Sequence, residues 1–189
     1  ALEADRTAGE LAGRPAVGHD IQVFSRDVTN SCWTRCFETD AGTVLVKDIN
    51  PGSNNWSSPQ RLTNVNGTLF FQARDGVNGA ELWKSDGTAA GTVLVKDINF
   101  GSGSSGPQSL ASVDGALFFV ANDGVAGQEL WRSDGTAAGT VLVTDIVPGT
   151  GSSSPTYLTD VNGALFFRAC ESTSGCELWE SDGTPPGTV

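Results

Sequence analysis

Carboxylates recur along the sequence at a fixed spacing, and a pair of carboxylates can act as general acid and general base. Glutamates begin the string ELW and aspartates lie within the string SDGT, each 48 residues from the next: Glu81, Glu129 and Glu177; Asp86, Asp134 and Asp182. Because every copy repeats these carboxylates, their repetition favours a structural role over catalysis. The aspartates are expected to cap turns by accepting backbone N–H bonds, with calcium binding as the alternative. We predict no catalytic residue, no metal site and no cofactor.

Nucleophilic catalysis has little support in the sequence. The only histidine is His19, which lies far from any Gly-x-Ser-x-Gly elbow, so a Ser/His triad is not predicted. A hydrolase with acidic residues in a central funnel is kept as an alternative. Among the predicted first strands, Asp160 is the one carboxylate that replaces a polar residue. We predict that the protein is not an enzyme.

Tryptophans fall into two classes. Trp83, Trp131 and Trp179 follow the 48-residue spacing and are expected to pack in the core. Trp56 lies in the loop NPGSNNWSSP without a counterpart, and is predicted either to stack on a sugar ring or an aromatic partner, or to fold over its own sheet. Aromatic and polar residues of neighbouring variable loops extend this candidate surface. The predicted ligand-binding residues are Trp56, Asp75, Asn78, Phe100, Asp123 and Tyr157.

Four cysteines suggest an oxidising compartment. Cys170 and Cys176 stand at the two ends of a predicted hairpin loop, where cross-strand neighbours are close enough for a disulfide. Cys32 and Cys36 are four residues apart, which is too far on an extended strand, so they pair only if the segment between them turns.

Four short apolar runs make up the 48-residue unit, and each has the length and composition of a β-strand. In the first complete unit these runs are 60–66, 68–74, 80–86 and 92–98. Asn66 and Gly67 join the first two runs and favour the positive φ angles of a type I′ turn. The other links are also short, so the four strands are predicted to form an antiparallel meander.

Both faces of each predicted sheet must be buried. Adjacent residues such as Phe70 and Phe71 are both apolar, and successive side chains of a strand point to opposite faces. Sheets stacked on their neighbours bury both faces, as the blades of a β-propeller do. We therefore predict an all-β fold of β-propeller blades, each a four-stranded antiparallel meander of a 48-residue repeat.

The repeated segments resemble a known bacterial family. AELWKSDGTAAGTVLVKDI, QELWRSDGTAAGTVLVTDI and CELWESDGTPPGTV are similar to the ELWxxDGT repeat, and the resemblance covers about 42–189. More distantly, the unit is similar to blades of TolB-type propellers. The resemblance implies a secreted or surface-exposed bacterial repeat protein, often large, with no established chemistry.

The repeat divides the chain into five parts. They are a mobile N-terminal lead (1–20), a degenerate partial blade and crossover (21–58), two blades (59–106 and 107–154) and a truncated blade (155–189). If a fourth strand at 43–49 closes the last blade, three blades result, whereas a propeller needs about four. The chain is therefore expected to be part of a longer propeller or half of an assembled ring, completed by neighbouring blades of a longer chain or of a homo-oligomer.

Charge limits the partners. The net charge of −11 repels phosphate backbones and anionic membrane surfaces, so nucleic acid is not a predicted partner. No stretch approaches 20 apolar residues, and no membrane insertion is predicted. The sequence favours a secreted or cell-surface scaffold that binds a protein ligand through its variable loops, with a carbohydrate-binding propeller carrying repeated inter-blade sites as the alternative.

Overall fold

The computed structural model describes residues 43–189, which contain eleven β-strands and no helix. The strands are β1 (Gln60–Val65), β2 (Thr68–Arg74), β3 (Ala80–Ser85), β4 (Val93–Lys96), β5 (Gln108–Val113), β6 (Ala116–Asn122), β7 (Gln128–Ser133), β8 (Val141–Thr144), β9 (Thr156–Val161), β10 (Ala164–Glu171) and β11 (Gly175–Ser181). Within this range, no segment forms a helix long and apolar enough to cross a membrane.

The strands form three antiparallel sheets in sequence order. Sheet 1 contains β1–β4, sheet 2 contains β5–β8, and sheet 3 contains β9–β11. Each first hairpin turns at a pair of positive φ angles, as at Asn66 (49°) and Gly67 (84°), which confirms the predicted turn. The all-β class and the antiparallel meanders are therefore confirmed.

Apolar side chains join neighbouring sheets. One cluster combines sheet 1 residues such as Phe70 and Leu82 with Phe119 and Trp131 of sheet 2. A second cluster packs Leu130 and other sheet 2 residues against sheet 3. Sheet 2 is therefore covered on both faces, and its first strand, β5, contacts both β1 and β9.

Three segments of similar sequence run alongside the sheets. We call 45–59 the leading segment, 97–107 the first connecting loop and 145–155 the second connecting loop. In the leading segment, Ile49 packs with Phe71, Ala73 and Trp83 of sheet 1. Each connecting loop joins the fourth strand of one sheet to the first strand of the next.

The strand expected at 43–49 is wrong for this structure. No strand is present before β1 in the described residues, and the side chains of Leu45 and Val46 are 74 % and 40 % exposed. A strand needs a hydrogen-bonded neighbour, and no described strand pairs with this segment. The predictions for 1–20, for the part of 21–58 before residue 43, for His19 and for Cys32 and Cys36 lie outside the described residues.

Candidate binding surface

Trp56 borders a cavity of about 340 Å³ beside sheet 1. Its indole is 78 % exposed, so the predicted alternative of a tryptophan folded over its own sheet does not describe it. The other lining residues are all polar or charged: Asn54, Ser58, Gln60, Gln72 and Arg74. An exposed aromatic face beside amide and guanidinium donors can combine stacking with hydrogen bonds.

Local hydrogen bonds shape the loop that carries Trp56. The Asn55 side-chain amide donates to the Pro51 carbonyl at 3.0 Å, and that of Asn50 donates to the Trp56 carbonyl at 3.4 Å. Asn54 and Ser58, on either side of the tryptophan, have positive φ angles of 67° and 45°. These turns leave the indole pointing away from the core while its backbone is held.

Sheets 2 and 3 do not repeat this cavity's chemistry. At the 48-residue spacing, serines replace Trp56 and an asparagine and a cysteine replace Arg74: Ser104 and Ser152; Asn122 and Cys170. Cys170 is moreover bound in a disulfide. Within the described residues, the combination of indole and guanidinium is therefore present at sheet 1 and at neither equivalent position of sheets 2 and 3.

The other two candidate aromatics are exposed as well. Phe100 in the first connecting loop is 92 % exposed, and Tyr157 in β9 is 80 % exposed. Tyr157 has a positive φ of 59°, a strained conformation that Ser109 and Arg61 share 48 and 96 residues earlier in the chain. Neither aromatic lines the cavity beside Trp56.

The candidate polar residues hold their own loops. Asp75 accepts hydrogen bonds from the backbone N–H groups of Val77 and Asn78, and its second oxygen accepts the Asn78 side-chain amide at 2.7 Å. Burial opposes ionisation, but these hydrogen bonds outweigh it and hold the pKa of Asp75 below its ordinary value. Asp123 accepts the N–H groups of Val125 and Ala126 in the same way. The structure thus brings Asp75 and Asn78 together, but neither they nor Asp123 line the cavity.

The repeated glutamates lock the connecting loops to the sheets. Glu81 accepts hydrogen bonds from the backbone N–H groups of Ile98 (3.0 Å) and Ser105 (2.7 Å) and from the Ser105 hydroxyl (2.5 Å). Glu129 receives the same three bonds from Ile146 and from the N–H and hydroxyl of Ser153. Burial raises the pKa of both glutamates against these hydrogen bonds. The predicted structural role is confirmed for these two side chains.

Sequence reasoning missed the serine partners of these glutamates. Ser105 and Ser153 each stand two residues before a proline, and Ser57 does so in the leading segment. The pattern Ser-x-Pro therefore recurs every 48 residues inside loops of otherwise variable sequence. That recurrence was the signal, hidden by the abundance of serine around it.

Each SDGT loop closes on itself. Asp86 accepts the backbone N–H of Thr88 at 2.8 Å and its hydroxyl at 2.7 Å, while the Thr88 oxygen accepts Gly91 N–H. Hydrogen bonds from Thr88 lower the pKa of Asp86. Asp134 and Asp182 make the same bonds, so the predicted turn-capping role is confirmed. No group of three or more His, Cys, Asp or Glu side chains within residues 43–189 is placed to hold a metal ion.

The remaining predicted residues are structural as well. Trp83 and Trp131 are buried, and Trp179 packs partly buried against the second cluster. Cys170 and Cys176 form the predicted disulfide, facing each other across β10 and β11 with Cα atoms 3.9 Å apart.

Asp160 was the candidate carboxylate of the hydrolase alternative. It accepts Gly163 N–H at 2.9 Å, the bond that Asn64 accepts from Gly67 in sheet 1. Its position therefore serves the hairpin turn, whichever of the two residue types occupies it.

A second cavity, of about 220 Å³, lies between sheets 1 and 2. Its lining includes Asn66, Phe70, Lys84 and Asp134, and the Lys84 ammonium donates to the Gly135 carbonyl at 2.8 Å. Asp114, Phe118, Arg132 and Asp182 are the counterparts of these four residues at the 48-residue spacing.

Comparison with known proteins adds no relative. No protein-family model matches the chain, and neither a curated protein nor a solved structure matches it. The resemblance to the ELWxxDGT repeat stays a prediction carried by the quoted residues.

Proposed function

We propose that the chain is a non-enzymatic segment of a β-propeller, a scaffold that binds a partner through the surface around Trp56. Its three sheets are consecutive blades, and their first strands line the centre. Two observations support this arrangement: β5 contacts both β1 and β9, and apolar clusters fill the space between successive sheets. A secreted or cell-surface location is proposed with it, and the Cys170–Cys176 disulfide supports an oxidising compartment.

One observation carries the binding function. The Trp56 indole is 78 % exposed at the edge of a cavity whose other lining residues are polar or charged. Burying a side chain of this size would stabilise the fold by about 2 kcal/mol, and the exposed indole does not contribute that free energy. Its exposed position is therefore better explained by ligand binding than by stability. The favoured partner is a protein whose aromatic or polar side chains fill this cavity in an adhesive contact.

A carbohydrate-binding propeller is the second candidate. The cavity between sheets 1 and 2 favours it, because this cavity is lined by the charged residues Lys84 and Asp134. Their counterparts at the 48-residue spacing, Arg132 and Asp182, are also charged. Sites of this kind would repeat between blades, so the number of glycans bound per chain would follow the number of junctions.

An array of glycans and extracellular proteins tests both candidates. We expect the chain to bind a protein ligand and Trp56→Ala to weaken that binding at least tenfold, because the stacking surface is removed. Phe100→Ala is the matched control, since it removes another highly exposed aromatic that does not line the cavity. Equal binding by the Trp56→Ala variant removes Trp56 from the site. Glycan binding with more than one site per chain favours the carbohydrate candidate.

A further inference from the structure

Strand β11 has an open edge that its counterparts lack. In sheets 1 and 2 the third strand pairs on both sides. Among the described residues, β11 pairs with β10 on one side, and on the other side it pairs only through Ser181 and Glu180 near its end. Leu178 is 74 % exposed, while its counterparts Leu82 and Leu130 are fully buried. Glu177 is exposed too, although Glu81 and Glu129 are not.

The covering of β7 shows what this edge accepts. Strand β8 pairs Thr144 with Leu130, and the second connecting loop then supplies Ser153 to the Glu129 carboxylate. The next residue, Ser154, donates its N–H to the Gln128 carbonyl at 3.1 Å. The matching loop of sheet 1 makes the same bonds to Glu81 and Ala80.

The leading segment has the sequence of such a cover. Residues 45–49 read LVKDI, as residues 94–98 do, and Ser57 precedes Ser58 and Pro59 as Ser153 precedes Ser154 and Pro155. One side of the leading segment contacts sheet 1 in the same way that β4 and the first connecting loop contact sheet 2. Lys47 donates to the Thr92 carbonyl at 2.7 Å, and the Ser57 carbonyl accepts Arg74 N–H at 2.9 Å.

In the described part of the chain, the other side of the leading segment is uncovered. Leu45 and Val46 are exposed there, and no described strand pairs with them. In one copy, the segment covers sheet 1 and leaves β11 open. Within residues 43–189, a donor segment therefore lacks an acceptor and an acceptor edge lacks a donor.

We propose that β11 of one copy binds residues 45–58 of a second copy, which form the fourth strand of sheet 3 and the loop that follows it. By the register of sheet 1, Leu45 pairs with Trp179 and Lys47 with Leu178, and Ser57 donates to the Glu177 carboxylate. Val189 already pairs with Glu180 through two hydrogen bonds of 2.8 and 2.9 Å, as Val93 pairs with Lys84 in sheet 1. Leu45 of the second copy would continue the strand from there. The contact is head-to-tail, a form of strand addition to an open sheet edge.

Molar mass in solution and two complementary variants test the proposal. The expected mass is at least twice the 19.6 kDa of one chain at tens of micromolar. Leu178→Asp destroys the acceptor and Leu45→Asp the donor; each should weaken association at least tenfold. Both residues are 74 % exposed in the single copy, so both variants should fold, as circular dichroism will show. Val125→Asp, at an exposed valine in the β6–β7 loop of sheet 2, is the control and should stay assembled.

Mixing the two variants decides the geometry. The Leu45→Asp chain keeps an intact β11 and the Leu178→Asp chain keeps an intact leading segment, so the mixture should recover a species of two chains. A monomeric parent chain, an unchanged mass for either variant, or a mixture that stays monomeric would each overturn the proposal.

Discussion

Strands β7 and β11 carry the same ELW string in opposite surroundings. In β7, Glu129 and Leu130 are fully buried beneath β8 and the second connecting loop. In β11, Leu178 is 74 % exposed, and beyond the pairing of Thr188 and Val189 near the strand's end no described segment covers the edge. The comparison teaches that the motif is one half of an interface, whose other half is the following strand and its Ser-x-Pro loop.

The β-hairpins next to these edges are held differently. In sheet 2 the loop between β6 and β7 is fixed by Asp123 and by the second connecting loop, whose Ser152 hydroxyl accepts Gln128 N–H at 2.9 Å. In sheet 3 the corresponding hairpin has the Cys170–Cys176 disulfide instead. The disulfide therefore links the β10–β11 hairpin, in which no described connecting loop packs against β11. Stability measurements on these hairpins use the Leu178→Asp background, so that the β11 edge stays uncovered.

Adding one methyl group to the β6–β7 hairpin, which the second connecting loop covers, should have the largest effect on stability. A Cβ at Gly127 would lie 1.7 Å from the Gly151 carbonyl oxygen, whereas a Cβ at its counterpart Gly175 meets nothing within 4 Å. Both glycines have positive φ, 70° and 83°, so both alanine variants carry the conformational cost of about 1 kcal/mol. We expect Gly127→Ala to lower the free energy of unfolding by roughly 3 kcal/mol or more, measured by urea denaturation.

Gly175→Ala is the matched control for that variant, because it keeps the backbone cost and omits the collision. Equal losses for the two alanine variants would mean that the second connecting loop does not press on the hairpin.

Opening the disulfide should have the next largest effect. Reduction, or the double replacement of Cys170 and Cys176 by alanine, frees a hairpin that no connecting loop covers. The chain-entropy argument for so short a loop gives a loss of about 2 kcal/mol. Hydrogen exchange should place the increased opening in β10 and β11, with the β6–β7 hairpin unchanged. Faster exchange spread evenly over sheets 2 and 3 would contradict a local role.

Short-range features of this fold could be predicted from the sequence. The Asn66–Gly67 turn, the strand positions and the Cys170–Cys176 pairing depend on neighbours within one hairpin, and all three are present. The failures involve residues whose surroundings come from another part of the chain. LVKDI forms a strand at 94–96 beside β3 but none at 45–47, because no described third strand lies beside the latter.

The candidate site divides in the same way. The absence of a repeat counterpart singled out Trp56, and its indole is exposed beside a cavity. The sequence did not reveal that Gln72 and Arg74 line that cavity, since they reach it from β2. It also did not reveal that the carboxylates of Asp75 and Asp123 accept hydrogen bonds from backbone N–H groups of their own loops. Both facts depend on how hairpins and loops pack.

Protonation of the buried glutamates gives the smallest expected effect. Burial raises the folded-state pKa of Glu81 and Glu129 above the ordinary 4.5, so the folded protein keeps protons that the unfolded chain has lost. Stability should therefore fall as pH rises from about 4.5 through the raised pKa, with a slope of at most about 1.4 kcal/mol per pH unit for each glutamate. Asp75 and the SDGT aspartates act in the opposite sense and at lower pH, because their pKa values lie below 3.8. In the Leu178→Asp background, where Glu177 stays exposed, urea denaturation across pH 4 to 7 should show a smaller decline for Glu81→Gln and Glu129→Gln, while Glu177→Gln, which leaves both buried glutamates intact, keeps the full decline. An unchanged decline in the first two variants would assign the pH dependence to other groups.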